Sequence, residues 1–396
     1  MAFLSNLETP NSQFAIRNLQ FLRSRTVLAG ALAIHLAIMS GVFILTAGWG
    51  SGDFDRFWEI STTPGRPYLD FPVERAPAEV VLIKAIALAT GTRERFGRGA
   101  LLVNVAADAT IVSALAWAWG LEAAAFYAVT SIPLLKLLAE RIDLWSVAMV
   151  SLALAAWKRD RRILTSAGLA VGTALKLWPL PFSVLLALPA PGLRRLAGLV
   201  AFVVIGLALA GMWWALAGWS GLYQVVTFRG ARGWQIESSV GSLLMLAGSK
   251  SRLEAGALRT GSTNAFVTVL MFVVAAPMSI WAVWRGGRTG HLGAAWLASV
   301  GTLLLLSALF SAQFAGWLIA GGAIAWAEGD KRLAILTAVA YAITFSFTTF
   351  YTSVIDGYFP AVTVVVFRNV IMVMLVIEAF RGLITSRGAP PPLASG

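Results

Sequence analysis

Long apolar stretches recur along nearly the whole of this 396-residue chain, separated by short polar segments. A helix that spans a bilayer needs about 20 mostly apolar residues, and stretches of this kind occur at 27–47, 196–218, 264–284 and 359–380. The pattern therefore predicts an all-α polytopic membrane protein with about 12 transmembrane helices. Since no soluble domain interrupts the pattern, we expect residues 1–396 to form a single membrane domain.

Composition agrees with this prediction. The chain is 58% hydrophobic and 13% charged, with a mean hydropathy of +0.77, whereas soluble domains contain roughly 25% charged residues. It contains no cysteine, which excludes thiol chemistry and disulfide bonds. With only two histidines, His35 and His291, we expect no histidine-built metal site.

The net charge of +12 comes from small basic clusters that lie between apolar stretches. This distribution differs from the single basic patch of a nucleic-acid-binding protein, so we expect no nucleic acid partner. Lys and Arg mark cytoplasmic loops, which predicts cytoplasmic termini (1–26 and a flexible tail, 382–396) and outer loops at 48–76 and 219–262. The basic clusters are Arg17/Arg23/Arg25, Arg93/Arg95/Arg98, Lys158/Arg159/Arg161/Arg162, Arg194/Arg195, Arg285/Arg288, Lys331/Arg332 and Arg381/Arg387.

The predicted alternation between membrane sides fails at one place. The apolar stretches 99–119 and 121–139 must together make one net crossing if Arg93, Arg95 and Arg98 are cytoplasmic. We therefore expect one of the two to be re-entrant or to lie partly in the interface. Further on, KLWPLP at 176–181 predicts a tight outer turn between two short helices, since proline ends a helix.

The outer loop 48–76 is unusually acidic. It holds five of the 19 acidic residues, although such residues contribute little to membrane orientation. Asp53 directly follows the first apolar stretch, where it can meet a cavity at the membrane surface. Asp55 and Glu74 belong to the same group, but such carboxylates are also common in solvated loops.

Other polar groups are predicted at the same outer surface. A second cluster surrounds Trp234 in sequence and consists of Arg229, Arg232, Gln235 and Glu237. It is consistent with two interpretations, a phosphate-binding clamp or an interfacial amphipathic helix.

Arg141, Asp143 and Lys176 lie at the mouths of neighbouring helices and can form one site, although a terminal lysine can also simply extend to the surface. Gln313 lies at another predicted outer boundary, where the simpler interpretation is a helix junction.

Several polar residues lie within apolar stretches. They are expected to face the bundle interior, because polar groups are costly in lipid, and to join helices by hydrogen bonds. For Asp108, one of the neighbouring cations is a candidate partner. These residues are Asn104, Asp108, Lys84, Lys136 and Arg368.

Four segments match the motifs of one enzyme family in order and in predicted membrane side. GDFDRFWEISTTPGRPYLDFPVERAP is similar to a first-loop pattern of an aspartate, an aromatic and G-x-PY-x-DF-x-VEYPP. RIDLWSVAMVSLALAAWKRDRRILTSAGLAVGTALKLWPLPF is similar to an RYD helix, a basic turn and AGLLLGLGAALKLYP. RGWQIESSVGSL is similar to RGLQIES, and FSAQFAGWLIA to LSPQYLLWLLP. Over most of its length the chain thus resembles the GT-C superfamily of integral-membrane glycosyltransferases, most closely glycosyltransferase family 87.

The resemblance implies a GT-C fold whose extracytoplasmic first loop carries the active site, in the plasma membrane. It implies an inverting transfer of a sugar, with mannose as first choice and arabinose as the other option. The donor is a polyprenyl-phosphate sugar, and the acceptor is a glycolipid or polysaccharide of the cell envelope. Asp53 matches the family's first-loop aspartate and is the expected catalytic base.

The remaining site residues follow from the same resemblance and from their chemistry. We expect Arg141, Lys176 and Arg232 to bind the donor phosphate. We expect a second group to bind substrate or to hold the cations in place: Asp55, Glu74, Asp143, Arg229, Gln235, Glu237 and Gln313.

Three alternatives remain open from the sequence. Asp53-Phe54-Asp55 also fits the D-x-D metal motif, although a single lipid phosphate needs no divalent metal and none is expected. A transporter or lipid flippase would also have many helices and buried charges. An inactive homologue is the third alternative, since Arg75, Ala76, Ala312 and Phe314 depart from the family motifs.

Overall fold

The structure is a computed structural model that describes residues 35–42, 52–188 and 193–386, with isolated positions 26, 30 and 33. Within these ranges the chain is mostly helical, which confirms the predicted fold class. The helices are α1 (described over 35–42), α2 (Gly52–Thr62), α3 (Pro77–Thr90), α4 (Arg93–Trp119), α5 (Leu121–Thr130), α6 (Leu135–Ala139), α7 (Leu144–Lys158), α8 (Arg162–Leu175), α9 (Leu193–Val226), α10 (Ser239–Leu246), α11 (Ala265–Thr289), α12 (Leu292–Leu305), α13 (Gly316–Ala327), α14 (Lys331–Thr349), α15 (Tyr351–Ile355) and α16 (Phe359–Thr385).

The protein is a multi-pass membrane protein. In the described ranges five helices are long and apolar enough to cross a bilayer: α4, α9, α11, α14 and α16. The pair α5 and α6, bent by 44°, adds a sixth if it forms one span, and α7, α8, α12 and α13 are shorter apolar helices. The total of about 12 crossings stays a prediction.

The first outer loop is more ordered than predicted, because 52–62 forms α2. Arg75, just before α3, lies over the ring of Phe57 in α2 at 4.9 Å, and Arg93, just after α3, pairs with Asp55 in α2. Both ends of α3 therefore lie beside α2. Because α2 belongs to the outer loop, we interpret α3 as a helix that does not cross.

This position of α3 corrects the predicted topology. On this interpretation Arg93, Arg95 and Arg98, at the start of α4, lie on the same side as the loop 48–76, which differs from the predicted placement. The alternation then requires both 99–119 and 121–139 to cross. Accordingly, α4 has the length of a full span, and we interpret α5 and α6 as one span broken near Ser131.

The other predicted loops and turns also gain detail. The turn at KLWPLP is present, but a 3₁₀ helix, Leu180–Ala187, follows it. The loop 219–262 is folded: α9 continues to Val226, and a three-stranded antiparallel sheet follows, with strands β1 (Trp234–Gln235), β2 (Arg252–Glu254) and β3 (Ala257–Thr260) in the order β1-β3-β2. An interfacial helix around Trp234 is therefore not found. Helix α16 extends to Thr385, and 387–396 lie outside the described residues, as do most of 1–51.

Helix α9 changes direction at Gly218, whose φ of 53° and ψ of −151° are not helical. This backbone conformation is accessible essentially only to glycine. Above the break, Ser220 and Gln224 both donate hydrogen bonds of 2.8 Å to the carbonyl of Tyr68, and Gln224 accepts one of 2.7 Å from the amide of Val73. The upper part of α9 thus holds the turn between α2 and α3.

Buried polar contacts of Asp108 and Asn104 join the helices, as the sequence predicts, and Arg368 is buried too. Lys84 is only half-buried and Lys136 is exposed, so the prediction of an inward position is wrong for Lys136. Asp108 accepts a hydrogen bond from Tyr127 (2.7 Å) and lies 2.6 Å from His35, whose other ring nitrogen is 3.1 Å from the carbonyl of Ala128. The partner of Asp108 is therefore a histidine, where the sequence suggested Lys or Arg. The network connects α1, α4 and α5, and Asn104 connects α4 to the carbonyl of Ala139.

The corrected topology can be tested by cysteine labelling, because the chain has no cysteine of its own. Asp70→Cys and Arg95→Cys replace exposed residues and should react with a membrane-impermeant maleimide from the same side. The control Arg161→Cys, also exposed, should react only from the other side. Reaction of Arg95→Cys with the Arg161→Cys side would contradict the position of α3.

Candidate functional site

Two of the residues singled out in the sequence meet directly. Asp53, in the first turn of α2, forms an ion pair with Arg141 in the turn before α7. Each side chain retains some exposure, 20% for Asp53 and 27% for Arg141. The predicted base and a predicted phosphate-binding cation therefore lie side by side and within reach of a ligand.

Lys176 lies at the end of α8 between two buried carboxylates. Its Nζ is 3.0 Å from Oε1 of Glu79 and 3.5 Å from Oδ1 of Asp143. Asp143 also accepts a hydrogen bond of 3.1 Å from the indole N–H of Trp317. Because Arg141 and Asp143 are two residues apart, this group and the Asp53–Arg141 pair form one continuous site.

The sequence analysis did not single out Glu79, which lies in the apolar segment between the loop 48–76 and Arg93. Pro77 begins α3 and places Glu79 in the first turn, where a helix N-terminus favours a carboxylate. Its position four residues after Arg75 was the available signal. In the structure Arg75 Nη1 is 3.8 Å from Glu79 Oε1, so the arginine that departs from the family motif also belongs to the site.

The site thus contains three cations and three carboxylates. Burial raises the pKa of Glu79 above its usual range, and Lys176 and Arg75 only partly oppose this shift. Burial acts on Asp143 in the same direction, but Lys176, Arg75 and Arg141 outweigh it and hold its pKa below its usual range. Of these two carboxylates, Glu79 therefore binds a proton more readily.

Glu74 supports the rim of the site. It lies 3.1 Å from Arg56 and 3.3 Å from Arg229. Burial raises its pKa, but Arg56, Arg75 and Arg229 outweigh burial and leave the pKa below its usual range. Arg229 therefore holds the outer loop against the turn before α3.

Glu237 connects the outer loop to the opposite wall of the site. Its carboxylate accepts a hydrogen bond of 2.8 Å from the amide of Ala312, and its carbonyl accepts one of 2.7 Å from Arg368. It interacts electrostatically with Arg141, and the Tyr351 hydroxyl faces its carboxylate. Sequence analysis did not identify Tyr351, because it follows an apolar helix without a recognisable motif.

The remaining candidates lie apart from this arrangement. Asp55 pairs with Arg93, whereas Asp53 pairs with Arg141. Arg232 exposes its side chain, for which the described part of the chain provides no ion pair; its amide donates to Glu254 at 2.6 Å. Gln235 lies in β1, and Gln313 accepts a hydrogen bond of 3.2 Å from Ser311. The structure does not bring Asp55 or Arg232 into the ion-pair cluster.

A metal site receives no support from the D-x-D pattern, because Asp53 and Asp55 each bind a different arginine. Among the described residues there is no group of three or more His, Asp or Glu side chains that could hold a metal ion.

An apolar groove begins beside Lys176. Its volume is about 460 Å³, and its walls come from α8, the turn that follows it and α9. Leu177, directly after Lys176, and Ala174, two residues before it, line the groove. Other lining residues include Thr173, Leu180, Gly206, Trp213, Trp214 and Gly218. An apolar groove thus opens next to a cationic site.

The fold and site define a helical membrane protein with a charged cluster at the ends of its helices. No family model and no curated protein matches the chain. Similar solved structures include two crystal structures of ArnT from Cupriavidus metallidurans, one bound to undecaprenyl phosphate and one in the apo state. Sequence identity is 14% to each, the match covers 90% of this chain and 78% of ArnT, and the TM-scores are 0.42 and 0.40.

We expect Lys176→Met to destabilise the protein, because it leaves Glu79 and Asp143 buried without their shared cation. Removing one partner of a buried ion pair costs about 3 kcal/mol or more, and the cost should be largest at alkaline pH, where both carboxylates are charged. Denaturant unfolding in detergent measures the effect. The control Arg93→Met breaks an exposed pair and should cost about 1 kcal/mol or less; equal losses would contradict the central role of Lys176.

Proposed function

We propose that the protein is a GT-C glycosyltransferase that transfers a sugar from a polyprenyl-phosphate donor, with inversion, to a lipid- or polysaccharide-linked acceptor at the outer face of the plasma membrane. The observation that carries this proposal is the contact of Asp53 with Arg141 in a cluster that continues to Lys176. A carboxylate and several cations at one partly exposed site are what this transfer requires.

Arg141 and Lys176 bind the donor phosphate in this proposal. The guanidinium of Arg141 is suited to two phosphate oxygens, and the amine of Lys176 adds a second positive charge. Arg75 extends the set, because it lies on the same buried carboxylate as Lys176. Arg232 is exposed on the outer loop. In this proposal it binds the phosphate only after the loop moves.

Asp53 acts as the base. The acceptor oxygen attacks the anomeric carbon while its proton passes to the Asp53 carboxylate, and the bond from that carbon to the phosphate oxygen breaks with its electron pair on the phosphate. The cations stabilise the charge that develops there. One carboxylate suffices, because the phosphate is already a good leaving group, whereas glycoside hydrolysis needs two.

The groove of about 460 Å³ supports a lipid-linked donor. Its walls are apolar, and it begins beside Lys176, so a polyprenyl chain bound there would present its phosphate to the cations. A bilayer gives such a chain lateral access, because only the head group must leave the hydrocarbon.

Gln235, Glu237 and Gln313 orient the sugar or the acceptor in this proposal. Glu237 supports it by its contact with Ala312, one residue before Gln313. Mannose is the proposed sugar, with arabinose as the alternative. Three positions that depart from the family motifs belong to the candidate site or adjoin it in sequence: Arg75 contacts Glu79, Ala312 contacts Glu237, and Phe314 follows Gln313. Asp143, Glu74 and Arg229 hold the cations and the outer loop in place.

A transporter or flippase is less well supported. Such proteins bind their substrate near the midplane between repeated halves, whereas the ion pairs of this chain gather at helix ends. The polar network of His35, Asp108 and Tyr127 lies among the helices, but all its groups are engaged with one another.

Asp53→Asn tests the assigned base. In a folded variant we expect at least about a hundredfold loss of transfer, the usual scale for removing a general base, in assays with radiolabelled polyprenyl-phosphate mannose and arabinose and envelope glycolipid extract. Asp55→Asn is the matched control, because it removes a carboxylate two residues away that binds Arg93. Near-normal turnover of Asp53→Asn would contradict the assignment of Asp53 as the base. If the wild type transfers no sugar from any donor, the transporter or the inactive homologue is favoured.

The groove can be tested by filling it. Gly206 lines the groove, and a side chain there meets no atom within 4 Å, so Gly206→Leu should fold normally. We expect it to raise KM for a long-chain donor at least severalfold, with little effect on a donor of two isoprene units. Gly211→Leu is the control on the same helix, equally open but not part of the groove; the same KM in both variants would contradict binding of the chain there.

A further inference from the structure

Glu79 has no role in the mechanism described above, yet it is the most enclosed carboxylate of the site. It is 1% exposed. Its Oε1 faces Lys176 and Arg75, at 3.0 and 3.8 Å, while its Oε2 is buried with no hydrogen-bond donor from the described residues. The carboxylate therefore holds two of the cations that a phosphate would need, and one of its oxygens has space for a proton.

The charge balance of the cluster determines what happens when an anion binds beside Glu79. With every group ionised, Arg75, Arg141 and Lys176 are balanced by Asp53, Glu79 and Asp143. A phosphate diester adds a negative charge to this neutral cluster. A buried charge without compensation is costly, so binding is favoured if one carboxylate becomes neutral.

The three carboxylates differ in how readily they bind a proton and become neutral. Asp53 is partly exposed, is paired with Arg141 and serves as the base. Asp143 accepts the hydrogen bond from Trp317 and is held ionised by its cations. Glu79 is the one whose pKa is raised by burial.

We propose, on the basis of the proposed function, that binding of a lipid phosphate is coupled to uptake of one proton from solvent by Glu79. Protonation removes the carboxylate charge that competes for Lys176 and Arg75, and both cations then turn to the phosphate. Glu79 is thus a positioning residue that controls when these cations are free.

The titratable groups that face Glu79 come from several elements. Lys176 follows α8, Asp143 precedes α7, and Arg75 and Tyr68 belong to the turn before α3. Burial raises the pKa of Tyr68 well above its usual range, and Glu79 contributes to this shift, so Tyr68 stays neutral. Lys176, Arg75 and Arg141 hold the pKa of Asp143 below its usual range, so Asp143 stays ionised. Glu79 is then the group of this cluster that titrates.

The sign of the pH dependence follows. Above the pKa of Glu79 in the free protein, each binding event must take up a proton, so affinity falls as pH rises, by up to about tenfold per pH unit. Below that pKa the proton is already bound and affinity is constant. In Glu79→Gln the charge is removed permanently, which should give tight binding without this dependence.

The probe is farnesyl methyl phosphate, a diester whose single charge does not titrate near neutral pH, so that any proton comes from the protein's own equilibrium. Its affinity for the full chain in detergent is measured by calorimetry between about pH 5.5 and 8.5. Repeating the titration in two buffers of different ionisation enthalpy counts the protons taken up by the wild type. This count needs no variant and so holds even if Glu79→Gln folds poorly.

We expect wild-type affinity to fall at least tenfold across this range with close to one proton taken up above the pKa. Glu79→Gln should bind with constant affinity. The matched control Asp55→Asn removes a carboxylate that pairs with Arg93 outside the cluster and should keep the pH dependence. Binding by the wild type without proton uptake, or an unchanged slope in Glu79→Gln, overturns the role of Glu79 and leaves the proposed function standing. No binding of the diester by folded wild type at any pH would remove the proposed function and this inference together.

Discussion

The shared ion pair of Lys176 with Glu79 and Asp143 is the interaction on which the arrangement of the site depends. Each of these three side chains comes from a different part of the chain, at the end of α8, the start of α3 and the turn before α7. Two buried carboxylates without a cation would repel each other in a poorly polarisable interior. The lysine therefore fixes the ends of three helices at one point, and Arg75, Arg141 and Asp53 are arranged around it.

The equal numbers of cations and carboxylates stabilise the cluster and also limit its ability to bind an anion. Fully compensated charges hold the helix ends together when no substrate is present, but they also leave no cation uncommitted inside the cluster. A ligand with negative charge must compete with the carboxylates of the protein for the same cations. In the proposed function, substrate recognition and structural integrity thus use the same few side chains, and the cluster must redistribute its charge before a phosphate can bind.

Much of this arrangement was accessible from the sequence. Hydrophobic stretches of about 20 residues are unambiguous, and motif order brought Asp53, Arg141, Asp143 and Lys176 to one surface. The errors have a common physical origin: α3 is apolar enough to resemble a crossing helix, yet contacts at both of its ends hold it beside α2. That misassignment placed Arg93 on the opposite side and concealed Glu79. Contacts such as Tyr351 with Glu237 depend on how distant helices pack, which local pattern cannot show.

The break of α9 at Gly218 divides one long helix into two parts with separate duties. The part before the break supplies most of the α9 residues that line the apolar groove. The part after it adds Trp219 and Leu222 to the groove and is bonded to the turn that carries Arg75. Because the two parts are joined by a single non-helical residue, sequence changes in one need not be transmitted to the other. Under the proposed function, the groove can therefore adapt to lipid chains of different length or saturation while the polar end of the molecule is conserved, which makes α9 a modular element within an otherwise tightly coupled bundle.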